Sequence, residues 1–190
     1  MVRARRTVEL DDPRTLRAVA HPVRLALVGL LRREGPLTAT RAGELIGESP
    51  SSCSFHLRQL AKYGLVEDAG GGRGRERPWR ATALFTSWGN LPATPEVEAA
   101  SELLSAVVAE RYFELVREWL ARRGEEGAEW REAAPFGDTM IVVTAAELAD
   151  LVREQAALAE AYLDRTTCPE LRPPGARPVT LLQIAYPASR

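Results

Sequence analysis

SPSSCSFHLRQLAKYG, Ser49 to Gly64, is the stretch whose reading decides the fold. Ser49-Pro50 pairs a helix N-cap with proline at the first helical position, and Gly64 supplies a stop. Between them, at about 100° per residue, Cys53, Leu57 and Leu60 share one side of a helix, with His56 at its edge. Ser51, Ser54, Phe55, Arg58, Gln59 and Lys62 fall on the other side. The stretch holds one of the two cysteines and one of the two histidines in the chain. Their spacing of three raises the question of a metal or thiol site. A cysteine on the apolar side of a helix is more often a small buried hydrophobe. The outer side carries the chemistry. Arginine can bond guanine in two places, glutamine can bond adenine, and an aromatic ring can pack on a thymine methyl. Serines at a helix N-terminus (Ser49, Ser51, Ser52 and Ser54) suit phosphate. Taken alone, the same face also reads as an ordinary solvated surface with one stray phenylalanine.

The neighbouring sequence narrows that choice. Thr38 caps a short predicted helix, Ala39 to Ile46, and Gly47 offers a left-handed stop. Only Glu48 separates that stop from Ser49, and two helices across so short a turn form a helix-turn-helix. Upstream, Asp12-Pro13 and His21-Pro22 each open a helix, the second with an apolar stripe at Val23, Ala26, Leu27, Leu30 and Leu31. Downstream, Leu65-Val66-Glu67-Asp68 reads as a strand, AGGGRGRER as a mobile basic tip, and PWRATALF as the returning strand. Arg73, Arg75 and Arg77 stand among glycines at that tip, with Arg80 following; arginines of this kind insert into narrow, electronegative minor grooves. A basic helix face followed at once by a basic hairpin is less expected by chance than either alone.

The chain of 190 residues is 45% hydrophobic and 27% charged, as in ordinary soluble proteins. No apolar run approaches the roughly 20 residues that span a bilayer, and the basic start lacks the apolar stretch of a signal peptide. Two cysteines so far apart make no disulfide framework, so a cytoplasmic location is expected. The net charge of −1 hides an asymmetry. Residues 1–90 hold 15 Lys and Arg against 9 Asp and Glu, net +6; residues 91–190 hold 10 against 17, net −7. A basic half points toward nucleic acid.

From about Leu16 to Phe85 the chain resembles the ArsR-type winged helix-turn-helix transcriptional regulators. The residues that carry the resemblance are Ala20, Pro22 and Arg24 at a helix entry, His56, Leu57 and Leu60 in the central helix, and Gly64-Leu65-Val66 after it. The resemblance implies a homodimer on a pseudo-palindromic operator in double-stranded DNA, usually as a repressor. It also implies that Pro50 to Tyr63 is the recognition helix, and that flanking helices, including a long one at 95–123, form the dimer interface. The chain departs from the metal-sensing members. The helix 39–46 has no cysteine, and the helix 95–123 has neither His nor Cys. No metal and no cofactor is therefore expected.

After the long helix, the tail reads as a strand at 138–144, a helix from Ala145 to about Arg165 with Thr144 as cap and Glu147 completing a capping box, and a last strand at 179–186. The expected fold is mainly α with small β (α+β): a winged helix-turn-helix domain at 1–90, then a dimerisation helix and a small strand–helix–strand module within 91–190. That module can extend a dimer or enclose a small-molecule effector, near Trp119, Trp130 or Phe136. The DNA-binding residues expected are Ser49, Ser51, Ser52, Ser54, Phe55, Arg58, Gln59, Lys62, Arg73, Arg75 and Arg77. A winged-helix module for protein partners, working through Phe55 and the acidic C-terminal half, is the alternative. No catalytic dyad assembles, and GGGRGR lacks the Lys-Ser/Thr of a phosphate loop, so no enzyme is expected.

Overall fold

The computed structural model describes residues 5–10, 12–72, 77–88 and 94–188. The chain divides into two compact units, Met1–Tyr112 and Phe113–Arg190.

In the first unit, β1 (Arg5–Glu9) leads into α1 (Pro13–Val19) and α2 (Pro22–Glu34). Each helix starts where a side chain replaces a missing backbone partner. Asp12 accepts from the backbone N–H groups of Arg14 and Thr15, at 2.8 and 3.1 Å, and from the Thr15 hydroxyl. The Thr15 hydrogen bond is the main cause that holds its carboxyl below the usual carboxylate range. At the next start the Val23 N–H donates to His21 Nδ1 at 3.2 Å. β2 (Leu37–Thr38) precedes α3 (Ala39–Ile46), capped by Thr38. Gly47 closes α3 at φ 74, ψ 26, a conformation that costs an L side chain energy. α4 (Pro50–Lys62) then starts on its Ser49 cap.

β3 (Val66–Asp68) and β4 (Pro78–Ala81) pair antiparallel, with Val66 opposite Ala81 and Asp68 opposite Trp79. β2 adds to the other edge of β4, giving a three-stranded sheet in the order β2-β4-β3. The sequence predicts one returning strand over PWRATALF; the structure divides it at Thr82. Thr82 turns back to bond Gly64 and Leu65 through its hydroxyl and N–H. β5 (Ala83–Ser87) then leaves the wing and pairs in parallel with β1, a strand the sequence reading does not anticipate.

A single apolar core joins these elements. Leu10, Leu16, Leu27, Leu30, Leu57, Leu60 and Val66 are almost wholly buried in it, with Cys53. Burying a leucine in this way stabilises the fold by roughly 1.5–3 kcal/mol. α5 (Pro95–Arg122) contributes Ala100, Leu104 and Val108, all on the first unit's side of Tyr112.

The second unit holds the end of α5, a 3₁₀ turn at Arg123–Glu125, α6 (Ala128–Ala133), α7 (Ala145–Thr167) and a 3₁₀ turn at Pro169–Leu171. α7 starts on the predicted Thr144–Glu147 capping box. Arg177 grips Glu126 with two bonds of 2.7 and 2.9 Å and lies 4.8 Å from the Trp130 ring centre. The expected strands at 138–144 and 179–186 do not form: both segments run without a ladder partner. The strand–helix–strand module is therefore corrected to helices and irregular chain. Alternation of apolar residues marks a strand that has a surface to cover. Here Met140, Val142, Val179 and Leu181 stay more than half exposed, and no described residue beyond Val108 is fully buried. The coarser expectation, mainly helical with small sheets and a winged helix-turn-helix, is what the structure shows.

Candidate nucleic-acid interface

α4 has two sides because one of them seals the core. Cys53, Leu57 and Leu60 are buried, and burial pushes the Cys53 thiol pKa up, with Glu48 adding to the effect. A thiol so placed stays protonated and poorly reactive. The opposite side is open. Ser51, Arg58 and Lys62 are exposed, Phe55 is 51% exposed, and Ser54 and Gln59 are partly covered. The two sides match the division read from spacing.

The serines divide their work. Ser49 Oγ accepts from the Ser52 N–H at 3.1 Å and lies 3.0 Å from Ser51 Oγ. Ser49 is thus a structural cap as well as an expected DNA contact. α3 meets the start of α4 across a tight turn. Gly43 packs so closely against it that an added Cβ would sit 2.5 Å from the Glu48 carbonyl oxygen.

The wing is held from its base. Arg80 reaches across from β4 to Glu67 at 2.7 Å, so this arginine is committed to a cross-strand ion pair. Arg77 is largely exposed, with Asp68 3.9 Å away. Arg73 and Arg75 lie outside the described residues. Arg32 of α2, which the sequence does not single out, anchors β5: it donates to the Ala83 carbonyl at 2.9 Å and the Thr86 hydroxyl at 2.7 Å. Burial pushes its pKa down to about 10, opposed by Tyr112, and it remains charged at neutral pH. Nothing in the sequence distinguishes Arg32 from the 23 other arginines, because its acceptors lie more than fifty residues away.

The two histidines meet. His21, at the start of α2, and His56, on α4, have ring centres 4.6 Å apart and planes tilted by 41°. The ring of Phe55 stands edge-on to His56 at 5.2 Å. His56 Nδ1 is buried with no hydrogen-bond partner among the described residues, as is Arg24 Nε. His56 lies at the edge of the core side of α4, as its spacing predicts, with the His21 and Phe55 rings beside it. No group of three His, Cys, Asp or Glu side chains among the described residues converges as a metal site would require. No helix among them is long and apolar enough to cross a membrane.

No curated protein matches the sequence. Solved structures with a distant likeness include the PcaV transcriptional regulator from Streptomyces coelicolor, in complex with its natural ligand, at 18% identity over 72% of this chain and 74% of that one, with a TM-score of 0.31. A MarR family transcription regulator is likewise 18% identical, over 81% of this chain and 79% of its own, with a TM-score of 0.33. RV1404 from Mycobacterium tuberculosis is also 18% identical, over 77% and 80%, with a TM-score of 0.31. The stretch that spans α2, α3, α4 and β3, residues 19–69, matches the family model of a helix-turn-helix domain.

Proposed function

We propose that the chain is a sequence-specific, DNA-binding transcription regulator of the ArsR type, with residues 1–90 as its DNA-binding domain. α4 enters the major groove, where Arg58, Gln59 and Phe55 read base edges and Lys62, Ser51, Ser52 and Ser54 hold phosphates. Ser49 caps the helix at the same end. Arg73, Arg75 and Arg77 of the wing lie along the minor groove. The observation that carries this reading is the outer side of α4, left open by a fold that uses the other side as core, within a matched helix-turn-helix. The positive balance of residues 1–90 gives that side the sign a phosphate backbone attracts. The working form is a homodimer on a pseudo-palindromic operator, acting as a repressor.

Selection of bound fragments from a random DNA pool supplies the operator. Gel-shift titrations then separate the roles. Arg58→Ala weakens operator binding by about 1–3 kcal/mol while affecting random DNA less. Arg75→Ala weakens both and lowers the salt slope by about one unit. If neither variant changes binding, this face does not read DNA. The 51% exposure of Phe55 also fits a winged-helix module for protein partners. Passage through a heparin column at low salt without retention favours that second reading.

A further inference from the structure

The only two histidines of the chain meet, with tilted rings, at the joint between α2 and α4. His21 uses Nδ1 as an acceptor, taking the Val23 N–H that starts α2. A proton on that nitrogen abolishes the cap. His56 Nδ1 is buried without a hydrogen-bond partner among the described residues, and in the charged ring, where both nitrogens carry a proton, that N–H finds no acceptor there. The rings are faced by Arg24 from α2 and by Glu48 from the α3–α4 turn; Glu48 also acts on Cys53, and Tyr63, just beyond α4, on Arg24. Glu48 alone favours charging the rings, and it is outweighed. Burial first, then Arg24, pushes the His21 pKa below its ordinary value; burial, then His21, then Arg24, does the same for His56. Phe55, on the open side of α4, touches the His56 ring, so the pair is one ring away from the proposed DNA surface.

We propose that the His21–His56 pair is a proton-responsive positioning device: two neutral rings hold α4 against the start of α2, and charging them releases α4 and weakens its grip on DNA. The proposal rests on the DNA-binding reading of α4. Its sign is diagnostic, because phosphates alone would favour charged histidines and tighten binding on acidification. Both pKa values lie below the unfolded value of about 6.5. The pair's contribution is therefore complete above that pH and lost as pH falls through the folded values.

The test uses the full chain at constant salt. Imidazole proton resonances, assigned with His21→Ser, give both titrations; serine keeps a cap at the α2 start while removing one ring. Both midpoints are expected below 6.5, and the His56 midpoint rises in His21→Ser as a like charge is removed. Fluorescence anisotropy on the selected operator is expected to show affinity falling several-fold from pH 7.5 to 5.5, toward the roughly tenfold limit that a one-unit pKa difference between bound and free forms sets once the pH lies below both. His21→Ser falls less steeply than the unaltered chain, having lost one titrating ring and its repulsion of His56, while burial and Arg24 still act on His56. Independent midpoints at or above 6.5, or operator binding that is level or tighter at pH 5.5, overturn the proposal. No binding at pH 7.5 overturns the DNA reading itself, and with it this use of the pair.

Discussion

Gly43 is where a single atom decides the geometry of the joint between α3 and α4. It lies inside a helix, where alanine is preferred by about 1 kcal/mol. Yet a Cβ there meets the backbone oxygen of Glu48 at 2.5 Å, and backbone cannot move aside as a side chain does. Gly43→Ala is expected to destabilise the fold by about 1–3 kcal/mol, against its helix propensity, in urea unfolding. A gain in stability would show that the turn has room to shift. Ser49→Ala is expected to cost about 1 kcal/mol through the lost cap alone. Leu57→Ala, in the core side of α4, is expected to cost about 2–5 kcal/mol. A three-way ranking of these variants by unfolding midpoint checks the assigned roles of cap, close approach and core.

Among the elements, the strand that leaves the wing owes its attachment to a residue outside both sheets. β5 continues the chain of β4 but belongs to another sheet, and Arg32 fastens it to α2. Arg32→Met fills much of the same volume yet leaves the Ala83 carbonyl and Thr86 hydroxyl without that donor. Stability is expected to fall by about 1–3 kcal/mol, with faster amide exchange in β1 and β5 than in β3 and β4. Equal acceleration in both sheets would mean that Arg32 supports the core in general. The helices of this unit were legible because their signals are local: Pro13, Pro22 and Pro50 at first helical positions, capping side chains before them, and Gly47 and Gly64 after α3 and α4. The split of PWRATALF was not, because Thr82 turns toward Gly64, eighteen residues earlier.

At the scale of the whole molecule, buried side chains among the described residues stop at Val108, although apolar residues continue along the chain. Leu103, Phe113 and Leu120 of α5 are each more than two-fifths exposed. An apolar stripe left open on a long helix suits a second copy. Sedimentation of the full chain is expected to give a dimer, and Phe113→Asp with Leu120→Asp a monomer whose first unit still unfolds cooperatively. A wild-type monomer at micromolar concentration removes the homodimer from the proposed function.

The sequence by itself determined the helices of the first unit, the two sides of α4 and the basic character of residues 1–90. These follow from periodicity, capping and charge, which act within a few residues or simply add along the chain. Tertiary structure alone decided that β5 pairs with β1, that Arg32 fastens it, that the two histidines meet, and that the apolar runs at 138–144 and 179–186 form no strand. Strand pairing and side-chain partnership are made between distant segments. Alternation shows only that a segment can cover an apolar surface; the fold determines whether one lies against it.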